Sequence, residues 1–237
     1  MGYQTYDDLR DVCRSEVLNK RTFLAEKAKD QIHKGNDEAT FVVQNIEASV
    51  RNLETTLAGL DPEELKAIVS ALARSRSVVL AGMFSAKSIM EYAAYLGNMA
   101  VGKWRAIGLE VGALANDLVD IDQNDACIFF SVQPYASKTI ELAKIMVARN
   151  VPIIVITDSP ASPVAAYATH CIYTETESSQ FFPSHGAAIV ILETLIGVLI
   201  QATGPKAQER IAKIEQQNHQ LRDYWRDEPN SNKGENK

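Results

Sequence analysis

The sequence is short of cysteine. Cys13, Cys127 and Cys171 are its only three in 237 residues, and no two stand at metal-ligand spacing. That speaks against a cysteine-built metal site, and an odd count suits a reducing compartment. Basic residues are also short. With 24 Lys and Arg against 30 Asp and Glu, the formal net charge is -6 and the pI about 5.3. Such a balance argues against a nucleic-acid surface in this chain. No charged-apolar-small leader is visible, so a cytoplasmic location is expected. The most apolar stretch, Gly186 to Ile200, is interrupted by Glu193 and is too short to span a bilayer comfortably; it reads as a buried helix, with no membrane partner. A dinucleotide loop is missing as well: Gly82 follows a strand, but Phe84 and Lys87 occupy the second and third glycine positions. No cofactor is expected.

What is present is apolar material enough for a core, at 46% hydrophobic. It is organised around Ser77 to Asp158. Ser77-Val-Val-Leu-Ala-Gly82 is a β-branched run ending at glycine, followed by helical spacing from Ser85 to Gly97. The pattern returns as Ala126-Cys-Ile-Phe-Phe-Ser131, a helix from Ser137 to Arg149, and a strand from Pro152 to Thr157. Trp104 to Gly108 and His170 to Tyr173 read as further strands, and Ala113 to Leu118 as a short helix. Strands without polar alternation, separated by helices, predict a parallel sheet covered on both faces. The fold class expected is α/β: a three-layer sandwich with a five-stranded parallel sheet, plus N-terminal and C-terminal helices. Ligands of such sheets bind beyond the carboxyl ends of the strands.

The flanks read as helices. Thr5 is placed to cap one running from Tyr6 to His33, with a bend or break near Ser15 to Lys20. In Glu38 to Leu57, the residues Val43, Ile46, Val50, Leu53 and Leu57 form a seam for another helix, within the chain or across a dimer. Asp61-Pro-Glu-Glu64 starts a third helix with a capping aspartate and a proline at its first turn. His185 to Ala202 is apolar nearly all round and should be central. Lys206 to Trp225 carries a second seam in which Asn218 either sets register or lies at the solvent edge. Residues 228–237 read as a disordered tail. Asp120, Asp122 and Asp125 lack the glycine and terminal glutamate of a calcium loop and read as a solvated turn, so no metal is expected.

The blocks Val78-Val-Leu-Ala-Gly82, Asp125 to Ser131, and Ile153-Ile-Val-Ile-Thr-Asp-Ser-Pro-Ala-Ser-Pro163 carry a resemblance. Over roughly Leu65 to Ala202 the chain resembles the sugar isomerase (SIS) domain, in particular the ligand-sensing half of RpiR/MurR-family transcription regulators. Gly2 to Arg10 is similar to the segment that closes the helix-turn-helix domain of such regulators. The resemblance implies a flavodoxin-like fold and a fragment in three parts. Residues 1–35 would be a linker helix after a missing helix-turn-helix domain, 36–227 the effector-binding SIS domain with its flanking helices, and 228–237 the tail. It further implies no catalysis, a small anionic metabolite such as a phosphosugar or related acid as partner, contact with DNA only through the missing domain, and a homodimer or homotetramer.

The sequence departs from the family pattern in both loops. Where the family has glycine-x-glycine-x-serine, Phe84 and Ala86 replace the second glycine and the serine. Where it has serine-x-serine-glycine-x-threonine, only Ser131 is kept, and Gln133, Pro134 and Ala136 replace the rest. Fewer hydroxyls converge, and proline removes an amide donor, which weakens the phosphosugar reading.

Two helix starts, near Ser85 and Ser137, still offer amides and partial positive charge to an anion. The ligand-binding residues expected are Gly82, Ser85, Ala86, Ser88, Ser131, Gln133, Tyr135, Ser137, Ser178 and His185. The serines can donate hydroxyls, or cap their own helices instead. Gln133 can donate or accept, and Tyr135 can stack on a ring face. The alternative is an aldose-ketose phosphosugar isomerase, which needs a proton-moving base. Glu175, Glu110, His170 and His185 are its candidates, with His185 best placed beside the loop Ser178 to Ser184.

Overall fold

The computed structural model describes residues 24–33, 35, 37–108 and 114–225. The expected Thr5 cap, the bend near Ser15 to Lys20, Cys13, Glu110 and the tail at 228–237 lie outside the described residues.

Five strands form one parallel sheet. They are β1 (Val78–Gly82), β2 (Trp104–Ala106), β3 (Ala126–Ser131), β4 (Ile153–Thr157) and β5 (His170–Tyr173), in the order β2-β1-β3-β4-β5. β1, β3 and β4 are buried along their whole length, which is why they carry no polar alternation. Their successive side chains go to opposite layers. Val78, Leu80, Ile128, Phe130, Ile154 and Ile156 pack into one core, and Val79, Ala81, Cys127, Phe129, Ile153 and Val155 into the other.

Eight helices are described: α1 (Leu24–His33), α2 (Glu38–Ala58), α3 (Pro62–Arg74), α4 (Ala86–Ala100), α5 (Leu114–Leu118), α6 (Ser137–Ala148), α7 (Gly186–Thr203) and α8 (Pro205–Leu221). Helices α3, α4 and α7 cover the first face, and α5 and α6 the second. The result is the three-layer α/β sandwich. Asp61 caps α3 through the amide of Glu63, with Pro62 at the first turn. α7 is long and apolar enough to cross a membrane. Here Ala188, Ile191, Leu192, Leu195, Ile196 and Leu199 are buried in the first core, while Val190 and Glu193 are exposed.

Close packing of α4 depends on glycine twice. A Cβ on Gly82 would stand 2.9 Å from Ala86 Cβ, Ala86 O and Met90 Cγ, so glycine lets α4 begin directly over β1. A Cβ on Gly97 would stand 2.1 Å from the buried Trp104 ring. Gly97→Ala is therefore expected to cost about 1–3 kcal/mol by overpacking. Denaturant titration checks it, with the emission of Trp104 shifting to the red as its ring is displaced.

Helix α2 does not bury its apolar seam within the described chain, one of the two alternatives that the sequence leaves open. The seam residues Val43, Ile46, Val50, Leu53 and Leu57 are exposed, and the adjacent stripe Ala48, Asn52 and Thr56 is buried instead. The stripe packs toward α7 and the loop after β5, and its polar members have backbone partners. Asn52 Nδ2 donates to Glu177 O at 2.8 Å, Glu177 N donates to Asn52 Oδ1 at 3.1 Å, and Glu175 N donates to Thr56 Oγ1 at 3.0 Å. In α8 only Ala207 of the second seam is buried. Asn218 donates to the Tyr224 hydroxyl at 3.2 Å and so closes the helix end locally.

At the opposite edge of the sheet from the carboxyl ends, Asp125 is buried and Arg76 grips it with two nitrogens, at 3.0 and 2.6 Å. Ser77 Oγ and the Asp122 amide complete its shell, at 2.7 and 3.0 Å. The acidic loop is thus a structural turn. Among the described residues no group of acidic, histidine or cysteine side chains is arranged to hold a metal.

Candidate functional site

The strand order reverses between β1 and β3, and a parallel sheet opens a crevice at such a switch point, beyond the strand ends. A cavity of about 480 Å³ lies there. Its floor is the turn after β1 with the start of α4 (Met83, Phe84, Ser85, Ala86), the end of β3 with the turn after it (Phe130 to Pro134, Ala136), and Thr139 of α6. Phe181, Phe182 and Pro183 from the loop before α7 form a wall, and Leu24 of α1 reaches it from outside the sheet. The starts of α4 and α6 therefore border one cavity. Phe84 does not plug it: its backbone is left-handed (φ 56°) and its side chain is 74% exposed.

Of the residues expected from sequence, Ser85, Ala86, Ser131 and Gln133 line this cavity. Gly82 sits beneath it and admits α4. Ser88 and Ser137 are exposed on the first turns of their helices and line nothing here. Ser137 is not a cap either, since Ala136 holds that position without a side-chain bond. Ser178 accepts the amide of Gln180 at 3.0 Å and shapes the wall loop from behind. Tyr135 turns away from the cavity: its hydroxyl donates to Asp158 Oδ1 at 2.8 Å. Burial and the neighbouring Asp158 carboxylate push the phenol up, so it stays protonated and donates. The other oxygen of Asp158 accepts the Gln133 amide at 3.1 Å, so one carboxylate pins the loop after β3, including its cis Gln133–Pro134 bond.

His185 stands one residue behind the lining. Its Nε2 shares a 2.8 Å hydrogen bond with Ser85 Oγ, its ring meets Phe130 edge-on at 5.3 Å, and its Nδ1 is buried without a partner. Burial lowers the imidazole from its ordinary 6.5, which keeps it neutral at pH 7. Because the folded form binds the proton less well than the unfolded chain, stability is full above about 6.5 and declines as pH falls through the folded value. His185→Gln is expected to flatten that decline just below pH 6.5, as read from denaturation midpoints between pH 5 and 8.

The other base candidates lie elsewhere. His170 opens β5, at the far end from the cavity, and contacts Glu64 at 3.2 Å. Glu175 is exposed and tied by its amide to Thr56. Among the described residues no charged side chain and no histidine lines the cavity; its polar side chains are Ser85, Ser131, Gln133 and Thr139. Thr139 was missed in the sequence. It is the third residue of α6, 1% exposed, and its hydroxyl has no hydrogen-bond partner. Leu24 and the Phe181-Phe182 wall were missed as well. A distant loop and a preceding helix carry no local signal that they meet at a switch point.

Comparison with known proteins places this geometry. The SIS domain model matches residues 71–203. No curated protein matches the chain significantly. Among solved structures, the sugar isomerase domain of an RpiR transcription factor from Sphaerobacter thermophilus superposes with a TM-score of 0.69 at 23% identity, over 76% of this chain and 98% of that one. NanR of Vibrio vulnificus, complexed with ManNAc-6P, superposes with a TM-score of 0.65 at 19% identity, over 93% and 77%. A Methanococcus jannaschii protein, for which a 3-hexulose-6-phosphate isomerase function was inferred, gives a TM-score of 0.58 at 17% identity, over 72% and 96%. Regulators and isomerases thus share this architecture, and at these identities the likeness is one of fold. The match of the SIS model covers more than half of the chain, which therefore belongs to the SIS domain family.

Proposed function

We propose that the chain is the effector-binding module of an RpiR-type transcription regulator, in which a small anionic metabolite occupies the cavity between the starts of α4 and α6 and is not transformed. The observation that carries this reading is the lining. Two helix starts border one cavity, Thr139 with its buried, unpaired hydroxyl is among its lining, and among the described residues no carboxylate, lysine, arginine or histidine lines it. Helix starts and hydroxyls hold an anion; moving a proton between carbons needs a base at the reacting atoms. The NanR complex with ManNAc-6P and the RpiR domain support binding in this fold.

The wall of the cavity also explains how occupancy is passed on. Asn52 and Thr56 tie the loop that carries Phe181 and Phe182 to α2. The exposed seam Val43 to Leu57 lies on the same helix and is read as a contact with a second copy of this chain. A ligand that binds one setting of the wall more tightly than another shifts the α2 arrangement by that difference in affinity. Thermal-shift screening of phosphosugars and organic acids tests the proposal. At least one is expected to raise the melting midpoint at millimolar concentration. No stabilisation by any anion contradicts it.

A second reading, a phosphosugar isomerase, draws on the Ser85–His185 pair at the rim of the cavity. Turnover of a phosphosugar in a coupled assay, lost in His185→Ala, would favour it over the sensor.

A further inference from the structure

We infer that the ligand is a monocarboxylic acid with a compact apolar body, in preference to a phosphorylated, polyhydroxylated sugar. This rests on the cavity being an effector site and narrows its chemistry.

The polar end of the cavity is small. Thr139 lines the cavity, and its hydroxyl is buried without a partner, so a ligand acceptor that reaches it removes an existing cost. Ser131 ends β3 beside it. Part of the loop after β3 has spent its donors: the Gln133 backbone N–H and the Tyr135 hydroxyl both go to Asp158, Pro134 has no N–H, and Ala136 has no hydroxyl, which leaves the Gln133 side-chain amide and the first-turn amides of α6. The Asp158 carboxylate stands directly behind this loop, and among the described residues no cationic side chain lines the cavity to offset a second negative charge. Beside Asp158, the single charge of a carboxylate fits this end better than a phosphate with up to two charges.

The far end is apolar. Leu24, Met83, Phe84, Phe181, Phe182 and Pro183 offer no side-chain hydrogen bond. A sugar's hydroxyls would lose water there without replacement, whereas a hydrocarbon body gains by burial.

Hexanoate and gluconate make the decisive pair. They share a six-carbon chain and one carboxylate, and differ in the hydroxyls. Dissociation constants of acetate, butyrate, hexanoate, gluconate and glucose 6-phosphate are read by NMR titration of the 237-residue chain. The affinity is expected to rise about threefold per methylene from acetate to hexanoate, and hexanoate to bind at least tenfold tighter than gluconate. Thr139→Val is expected to weaken every carboxylate. Phe182→Ala, at a half-exposed position, is expected to weaken hexanoate and spare acetate. Equal binding of hexanoate and gluconate, a flat series, or carboxylate binding indifferent to Thr139→Val would overturn the inference. Glucose 6-phosphate binding more tightly than every carboxylate would overturn it while leaving the effector site standing. Binding of neither class would remove both.

Discussion

Asp125→Ala is expected to lower the unfolding free energy by about 3 kcal/mol, the low end of what breaking a buried ion pair costs. The carboxylate is buried, but its partner Arg76 keeps 48% of its side chain in water, which softens the loss. Removing it leaves the Ser77 hydroxyl and the Asp122 amide without this partner and takes two bonds from Arg76, which keeps Asp120 O at 2.9 Å and Asp122 at 3.4 Å. The effect also has a pH signature. Burial alone would raise this carboxyl, and the hydrogen bonds from Arg76, the Asp122 amide and Ser77 outweigh it, so the folded value lies below the ordinary 3.8. A lowered carboxyl adds stability above its unfolded value and loses it as pH falls through the folded one. The gap between wild type and Asp125→Asn is therefore expected to be full near pH 7 and to shrink below about pH 3.8. Urea titrations at a series of pH values measure it.

Asn52→Ala is expected to cost about 2–3 kcal/mol and to loosen the cavity wall. Its side-chain amide pairs with both the N–H and the C=O of Glu177, as a neighbouring strand would. Alanine leaves two backbone groups without partners, at about 1–3 kcal/mol each where water cannot reach them. The segment freed carries Phe181, Phe182 and Pro183. Hydrogen exchange should show the Glu177 amide losing protection while those of β3 and β4 keep theirs. The same variant should weaken ligand binding without touching the ligand. Unchanged exchange at Glu177 would contradict this role for α2.

The parts of the fold legible in the sequence are those whose physics is local or averaged over many residues. Ala126–Ser131 and His170–Tyr173 stand where the sequence places them, because β3 is apolar on both faces and turns bound both strands. Asp61-Pro62 marked the start of α3 for the same reason. The seam on α2 does not mark the face that the chain itself buries. Periodicity counts apolar residues, whereas Asn52 and Thr56 are buried for the sake of backbone groups more than a hundred residues away. The loops show the same divide. Ser85, Ala86, Ser131 and Gln133 line the cavity because they sit at or just beyond strand ends. Tyr135 turned out to serve Asp158, and Thr139 was overlooked because only the assembled core leaves its hydroxyl unpaired. A sheet of this order dictates where a cavity opens, and the long-range packing of the wall decides what chemistry it offers.

The most direct test is a crystal of the chain grown with whichever anion stabilises it most. The account predicts difference density for the intact compound beyond the ends of β1 and β3, with an acidic oxygen within hydrogen-bond reach of Thr139 Oγ1. Density for an isomer of the compound supplied, or for the compound on another face with this cavity empty, would contradict it.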